Sequence, residues 1–307
     1  MDSEQFPIPA GLNLLLAALL LLLLPTILLL AGHVEAGWSL AFLALAYGIL
    51  MNSGYALLHE AEHNLFHPHS AVNQIGGALI ALFFPAPFHL LREGHLGHHM
   101  RNRSDDEAFD FYFDGESRLW KHLQFYGILT GLFWAVIVLG NVLALIKPAL
   151  LEPKYASFDR PTAAFLASLN PRFQRLIRLE ALLVFLLHGG ILWLGGIPWS
   201  NYTLVFFGFG FSWSAMQYVH HFGTVRDVQK GARNLKTFLW LDALWLNHNW
   251  HLNHHMNPTV PWIHLPNLYT GTGFDRGNLF LAYLQMWRGP RSATERVENH
   301  YAGVLIR

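Results

Sequence analysis

Long apolar segments separated by short polar ones make up most of the chain. Four of them, residues 11–31, 38–58, 179–197 and 202–219, are apolar over nearly their whole length. At a helical rise of about 1.5 Å per residue, segments of this length suit the roughly 30 Å hydrocarbon layer of a bilayer. We therefore predict an all-α integral membrane protein with four full transmembrane helices, the first of them kinked at Pro25.

Two further apolar segments are predicted to lie in the membrane without crossing it. Residues 73–91 contain two glycines and two prolines, which favour a segment that enters and returns. Residues 123–146 precede a basic connector, which the positive-inside tendency places in the cytoplasm. Each pair of crossing helices returns the chain to its starting side, so a full crossing by this segment would leave the count uneven. The segment is therefore predicted to be embedded in the membrane, with a bend expected at Gly140-Asn141. Residues 92–122 and 220–307 are predicted to form a cytosolic helical cap, and residues 1–307 one domain.

Composition supports a membrane protein and excludes several classes. Hydrophobic residues make up 53% of the chain and charged residues only 13%, with a mean hydropathy of +0.28. Twenty basic side chains balance twenty acidic ones, so no net field favours nucleic acid as a partner. Cysteine is absent, which excludes disulfides, thiolate ligands and iron–sulfur clusters bound by this chain. Any metal must therefore be bound through nitrogen or oxygen.

Histidines recur at metal-ligand spacing in three places. Buried histidine without a partner is costly, and packing gives no reason to repeat it every three or four residues. On a helix, such spacing places imidazoles on one face, where they can converge on an ion. The number of clusters suggests more than one ion. The three clusters are His59-Glu-Ala-Glu-His63, His95-Leu-Gly-His98-His99 and His251-Leu-Asn-His254-His255.

Several polar residues near the clusters have two interpretations each. His67 lies four residues after His63, so on a continuing helix it would share the face of His59 and His63. A role as a metal ligand and a role as a polar side chain at the membrane interface explain His67 equally well. His220 and His221 follow the last apolar segment, and His221 is the better candidate to complete the ligand set. The groups predicted to orient ligands or to face the substrate are Gln217, His67, His220, Asn247 and His248.

The acidic loop after the second cluster also has two interpretations. Its carboxylates can accept hydrogen bonds from the imidazoles, or they can form a solvated loop, and we favour the solvated loop. His89 and His264 are interpreted as structural. Four other histidines are predicted to be unrelated to the site: His33, His122, His188 and His300.

The histidine pattern resembles that of the membrane fatty acid desaturase and hydroxylase superfamily. Order, spacing and position after apolar pairs all agree over about residues 11–270, and the stretch from His254 to Pro266 is similar to bacterial members. The resemblance implies a centre of two iron ions with dioxygen as co-substrate. By position it implies nine ligands: His59, His63, His95, His98, His99, His221, His251, His254 and His255.

The resemblance also implies a reaction class. It covers oxidation of the aliphatic chain of a fatty acid or fatty acyl substrate by desaturation, hydroxylation or oxidative decarboxylation of a free acid to a terminal 1-alkene. Electrons are expected from an external ferredoxin- or cytochrome-type donor with its reductase. A free acid needs a cation at its carboxylate, and the candidates are Arg92, Arg101 and Arg103, with lipid headgroups as their alternative partners. A bacterial inner membrane, with the clusters facing the cytoplasm, is the expected location.

Three other functions make different predictions for this chain. A carotenoid ketolase or hydroxylase belongs to the same superfamily and predicts a wide cavity open to the bilayer. A metal transporter predicts ligands distributed through the spans, whereas these histidines cluster near membrane exits. A zinc hydrolase needs fewer ligands and an open position for water.

Overall fold

The computed structural model describes residues 5–268 and 276–297, and within them the chain is mostly helical. The α-helices are α1 (Ala10–Ala31), α2 (Trp38–Glu62), α3 (Ser70–Ala81), α4 (Phe88–Arg101), α5 (Arg118–Leu129), α6 (Leu132–Ile146), α7 (Arg160–Ser168), α8 (Gln174–Gly195), α9 (Trp199–Val219), α10 (Leu239–Leu244), α11 (His251–Met256) and α12 (Leu279–Met286). Short 3₁₀ helices form at Pro148–Leu151, Pro153–Ala156, Pro171–Phe173 and Leu265–Leu268.

The described residues are mostly helical, as predicted, but they also include four strands of two residues each. Strand β1 (Phe111–Tyr112) pairs in parallel with β4 (Arg291–Ser292), and β2 (Leu235–Lys236) pairs in parallel with β3 (Gly277–Asn278). These pairs fasten the C-terminal part of the chain to the loops after α4 and α9. They were missed because two-residue pairs carry no hydrophobic period.

Three helical segments of the described residues are long and apolar enough to cross a membrane. They are Ala10–Ala31, Trp38–Glu62 and Pro171–Gly195, and a bent pair formed by α5 and α6 raises the number to at most four. Helix α9 forms over the fourth predicted span, but it is not among these candidates. Four full crossings are therefore not confirmed. Pro25 lies inside α1, which continues on both sides of it.

The bend in the segment 123–146 lies elsewhere than predicted. Helices α5 and α6 meet at 94°, and the break falls at Thr130–Gly131, whereas α6 runs without interruption through Gly140 and Asn141. Gly131 has a φ of 95°, and a Cβ on it would lie 3.1 Å from Cα of Phe211. The bend therefore needs glycine at this position, both for the backbone angle and for the close approach to α9.

The segment 73–91 is not one continuous helix. It forms most of α3, a turn at residues 82–87 and the start of α4. Helix α3 has 12 residues, so at about 1.5 Å per residue it is too short to cross a bilayer. The end of α2 and the C-terminal half of α4 consequently lie at the same end of the bundle.

The centre of the bundle is the contact between α2 and α9. A Cβ on Gly208 would lie 2.8 Å from the carbonyl oxygen of Ala44, and one on Gly48 would lie 3.3 Å from the carbonyl oxygen of Gly208. Small residues here let the two backbones approach closely, as in membrane helix pairs generally. The Asn52 amide donates to the Ser212 hydroxyl at 2.8 Å and links the same two helices.

Candidate metal centre

Nine histidines from α2, α4, α9 and α11 come together in two neighbouring groups. Each histidine offers one ring nitrogen, and within each group these nitrogens all lie within 4.8 Å of one another. The five-histidine group contains His59, His63, His95, His99 and His254, and the four-histidine group contains His98, His221, His251 and His255.

Helix α2 supplies the first two histidines at its C-terminal end. His59 lies in the last turn, and the amide of His63, the C-cap, still donates to the His59 carbonyl at 3.2 Å. Asn64 then adopts a φ of 60°, which ends the helix. The prediction that His67 continues the same helix face is wrong for this reason: it lies beyond the helix, and its Nδ1 accepts a hydrogen bond from the amide of His69.

The paired histidines of α4 and α11 divide between the two groups. His99 and His254 belong to the five-histidine group, whereas their neighbours His98 and His255 belong to the four-histidine group. Consecutive residues on a helix point about 100° apart, so an adjacent pair can serve two neighbouring sites. The rings of His99 and His255 stack at 4.4 Å, which brings the two groups into direct contact.

Distances between ring nitrogens fit metal coordination. Two imidazoles bound at right angles, each about 2.1 Å from a divalent ion, have nitrogens roughly 3 Å apart. The Nε2 atoms of His63 and His95 are 2.8 Å apart, and those of His254 and His99 are 3.0 Å apart. In the other group, the Nε2 atoms of His221 and His251 are separated by 3.0 Å.

Burial keeps these histidines in the form that binds metal. Burial lowers the pKa of seven of these histidines. The neighbouring imidazoles lower it further, because protonated rings repel one another. Neutral imidazole is the ligand form. The affected residues are His63, His95, His99, His221, His251, His254 and His255.

Two of the nine histidines have their second ring nitrogen oriented by the protein. His221 Nδ1 lies 2.8 Å from the carbonyl oxygen of Gly231, to which it donates, and His98 Nδ1 contacts the carboxylate of Glu107. In both rings this assigns the proton to Nδ1 and leaves Nε2 for an ion. No sequence signal identifies Gly231, because its contribution is a backbone oxygen.

The preference for a solvated acidic loop after α4 is wrong. Glu107 is mostly buried and lies between His98 and Arg101, whose Nε is 3.4 Å from its second oxygen. Burial raises the pKa of Glu107, but the interaction with His98, including its hydrogen bond, and the charge of Arg101 outweigh it and hold the pKa below its usual range. Asp105 is also buried and pairs with Arg226 at 2.5 Å. Packing against α4 therefore encloses a loop whose composition alone resembles a solvated one.

Replacing Glu107 with alanine is expected to weaken metal binding at the four-histidine group by about 10- to 100-fold, since His98 loses the acceptor that orients it. Glutamine at the same position keeps an acceptor and should have a smaller effect. Metal titration of the purified protein measures both. Asp106→Ala is the control, because Asp106 pairs at the surface with Arg160. Equal affinities for the Glu107→Ala and Asp106→Ala proteins would contradict the orienting role.

A buried carboxylate supports a cationic centre next to the five-histidine group. Glu62 is 1% exposed, and neither of its carboxylate oxygens has a hydrogen-bond partner. One of these oxygens lies 4.0 Å from Nδ1 of His95. A metal ion bound through His95 would place a cation beside this unpartnered carboxyl group. His59 Nε2 is likewise buried without a partner.

The remaining residues predicted near the site lie around its edge. His248 packs edge-on against His59, with ring centroids 5.0 Å apart, and His220 lies 4.7 Å from His251. Burial lowers the pKa of His248 to about 4 and that of His220 to about 3. Gln217 accepts from the Tyr55 hydroxyl at 3.3 Å. Asn247 has a φ of 54° and donates to the carbonyl of Trp262.

The three arginines predicted near a carboxylate contact protein groups. Arg92 donates to the backbone carbonyl of Glu62 at 3.1 Å, and Arg101 faces Glu107. Arg103 is fully buried and donates at 2.6 Å both to Asp110 and to the Tyr218 hydroxyl. These contacts favour a structural role for Arg103, which ties the loop after α4 to α9.

Most histidines predicted to be structural or unrelated lie away from both groups. His188 bonds the carbonyl of Leu82, His122 that of Arg118, and His264 that of Pro7. His89 is paired with Glu180. His300 lies outside the described residues.

Comparison with known proteins gives one match. A sequence model of the fatty acid desaturase family matches residues 36–273. That range is more than half of the chain and includes all nine histidines of the two groups. No curated protein matches the chain.

Proposed function

The chain belongs to the fatty acid desaturase family, and we propose that it oxidises the hydrocarbon chain of a fatty acid or fatty acyl substrate at a di-iron centre, with dioxygen as co-substrate. Family membership itself supports a membrane oxidoreductase acting on fatty acyl chains. The iron, the nine ligands and the role of dioxygen are the proposed additions.

The observation that carries the proposal is the pair of adjacent histidine groups. Five and four imidazoles, nearly all buried, meet at one end of an apolar helical bundle. Two groups in ring contact suit two ions that act together. Neutral imidazoles bind zinc and copper as well as iron, so the donor set fits iron without selecting it. Family membership favours iron, because bound iron supplies the activation of dioxygen that attack on an unactivated C–H bond requires.

The protein's own residues hold the ligands and exclude water. Glu107 and the Gly231 carbonyl fix the rings of His98 and His221. On the membrane side, Tyr55 lies one helical turn before His59 and packs edge-on against Trp213 at 5.5 Å. These apolar surfaces suit a hydrocarbon chain approaching from the bilayer and keep bulk water from the reactive centre.

The cavity beside the histidines does not separate the two substrate classes. It is bordered by His59, His248 and His254 and has a volume of about 10 Å³, roughly the space of one water molecule. This is too small for a fatty acyl chain as well as for a carotenoid. All nine ligand candidates lie at one end of the bundle, so they do not form a path for ions across the membrane as a transporter requires. Their number also exceeds what a zinc hydrolase needs.

We further propose that the centre faces the cytoplasm of a bacterial inner membrane. Helix α4, which carries the second cluster, packs at Gly94 against Phe165 of α7, just before the start of α8. That start exposes Arg172, Arg175 and Arg178. By the positive-inside tendency, this end of the bundle is cytoplasmic. An external ferredoxin- or cytochrome-type protein with its reductase would then deliver electrons from the same side.

Metal analysis combined with product analysis tests the proposal. Protein purified in detergent is expected to contain about two irons per chain and, with a reductant, an electron donor and air, to oxidise a panel of free fatty acids of ten to eighteen carbons. A volatile 1-alkene identifies decarboxylation, and an unsaturated or hydroxylated acid identifies the other outcomes. If iron is present without product, acyl thioesters are tested next. Zinc alone, or no metal, would overturn the di-iron centre.

A further inference from the structure

An acidic side chain lies near the start of one candidate membrane span. Glu180 belongs to the segment Pro171–Gly195 and is 6% exposed. Ionisable groups at this depth are expensive, and those that persist are paired and usually serve a function. The proposed metal chemistry does not use Glu180 directly.

The Glu180 carboxylate binds the first turn of α4 with both oxygens. Oε2 accepts a hydrogen bond from the backbone amide of His89 at 3.0 Å, and Oε1 lies 2.7 Å from Nδ1 of the same residue, which donates to it. His89 is the second residue of α4, where backbone amides have no partner within the helix. Pro87, the N-cap of α4, makes no side-chain capping bond. Helix α8 therefore supplies the cap that the sequence before α4 lacks.

The turn before α4 is fixed separately from the other side. Its backbone carbonyls accept hydrogen bonds from side chains of three other helices, because a turn inside an apolar bundle has no water to satisfy them. The three contacts are His188 Nε2 to Leu82 at 2.7 Å, the Tyr47 hydroxyl to Phe83 at 2.8 Å and Trp134 Nε1 to Phe84 at 3.0 Å. These bonds hold the turn, whereas Glu180 holds the start of the helix that follows it.

Helix α4 transmits any change at its start to both histidine groups. His95 and His99 belong to one group and His98 to the other, and they follow His89 by six to ten residues on the same helix. A second tether, from Arg92 to the carbonyl of Glu62, lies one turn along α4. Released from Glu180, the start of the helix keeps this tether and the packing of the buried side chains of Phe88 and Leu90.

We propose that Glu180 and His89 form a positioning pair that sets the rotation and axial position of α4 and thereby aims the second histidine cluster at both metal ions. The inference rests on the proposed two-metal centre. A carboxylate suits the task because it accepts two hydrogen bonds at once and complements the positive end of the helix.

Cobalt(II) binding to the purified protein, after its bound metal has been removed with a chelator, tests the pair without relying on activity. The visible absorption of Co(II) reports ligand number and geometry, and titration gives the affinity. Glu180→Ala is expected to weaken Co(II) binding on the order of tenfold, as removal of groups that orient ligands does, and to change the absorption bands. Glu180→Gln keeps one acceptor but not the charge, so its affinity should lie between those of the wild type and Glu180→Ala.

His188→Phe is the matched control. His188 lies on α8 like Glu180 and is similarly buried. It donates to the carbonyl of Leu82, in the turn between α3 and α4, and not to α4 itself. Phenylalanine keeps its aromatic packing against Phe83 and Phe206. This variant is expected to lose thermal stability while keeping wild-type Co(II) affinity and absorption.

Two outcomes overturn the inference. Wild-type Co(II) affinity and bands in Glu180→Ala, with only a lower melting temperature, would show a purely structural role. If Glu180→Ala does not fold, Glu180→Gln and His89→Phe decide, and unchanged bands in both would reject the pair. A metal-free wild-type protein that binds no Co(II) would instead reject the two-metal centre itself, so the two failures are distinguishable.

Discussion

Replacing His254 with alanine is expected to abolish substrate oxidation and to lower bound iron from about two ions per chain to about one. His254 Nε2 lies 3.0 Å from that of His99, and the alanine protein would keep four of the five imidazoles in its group. A lost ligand opens the coordination sphere and weakens binding of that ion, while the four-histidine group remains whole. Both proposed ions are needed for activity, so the loss of one suffices.

His98→Ala gives the complementary result at the other group. It removes one of four ligands there and should also leave about one iron per chain. His122→Ala is the control, since this histidine lies on α5 and bonds the Arg118 carbonyl away from both groups. Iron content, oxidation of the fatty acid panel and membrane insertion are measured for all three. Full activity and full iron in the His254→Ala and His98→Ala proteins would remove both residues from the ligand set.

Replacing Gly208 with valine is expected to destabilise the folded protein and to lower bound metal. A Cβ at this position would lie 2.8 Å from the backbone oxygen of Ala44, which cannot move aside as a flexible side chain would. Overpacking of this kind costs about 1–3 kcal/mol. Separation of α2 from α9 would also move His59 and His63 relative to His221, so both groups would lose their geometry.

Thermal unfolding in detergent and iron content measure this effect. Gly189→Val is the control: Gly189 lies on α8, is exposed, and a Cβ on it would meet no atom within 4 Å. The two variants make the same chemical change in apolar helices, so their difference isolates the contact between α2 and α9. A Gly208→Val protein with wild-type melting temperature and iron content would show that this contact tolerates separation.

The sequence predicted which histidines come together better than it predicted the path of the chain through space. The spacing of His95, His98 and His99 sufficed to predict a site for more than one ion, because helical geometry converts spacing of three and four residues into shared faces. The apolar runs likewise predicted the helices α1, α2, α8 and α9. Such features are local, since each depends on a single turn or a single run of residues.

Where prediction failed, the deciding contact came from another part of the chain. His67 does not share a helix face with His59 and His63, because α2 ends before it, at the left-handed backbone of Asn64. The bend between α5 and α6 lies where Gly131 contacts α9. Glu107 has the composition of a solvated loop but is buried against His98. Burial depends on which segments pack together, and no local pattern carries that information.

The sequence by itself determined the membrane class, the set of histidines that come together and the family. Only the tertiary structure decided which histidine joins which group, which ring nitrogens Glu107 and the Gly231 carbonyl fix, and how Glu180 caps a helix from another segment. The reason is physical: the periodicity of a helix is set by its own residues, whereas the position of one helix against another is set by close packing and by buried polar groups that must find partners.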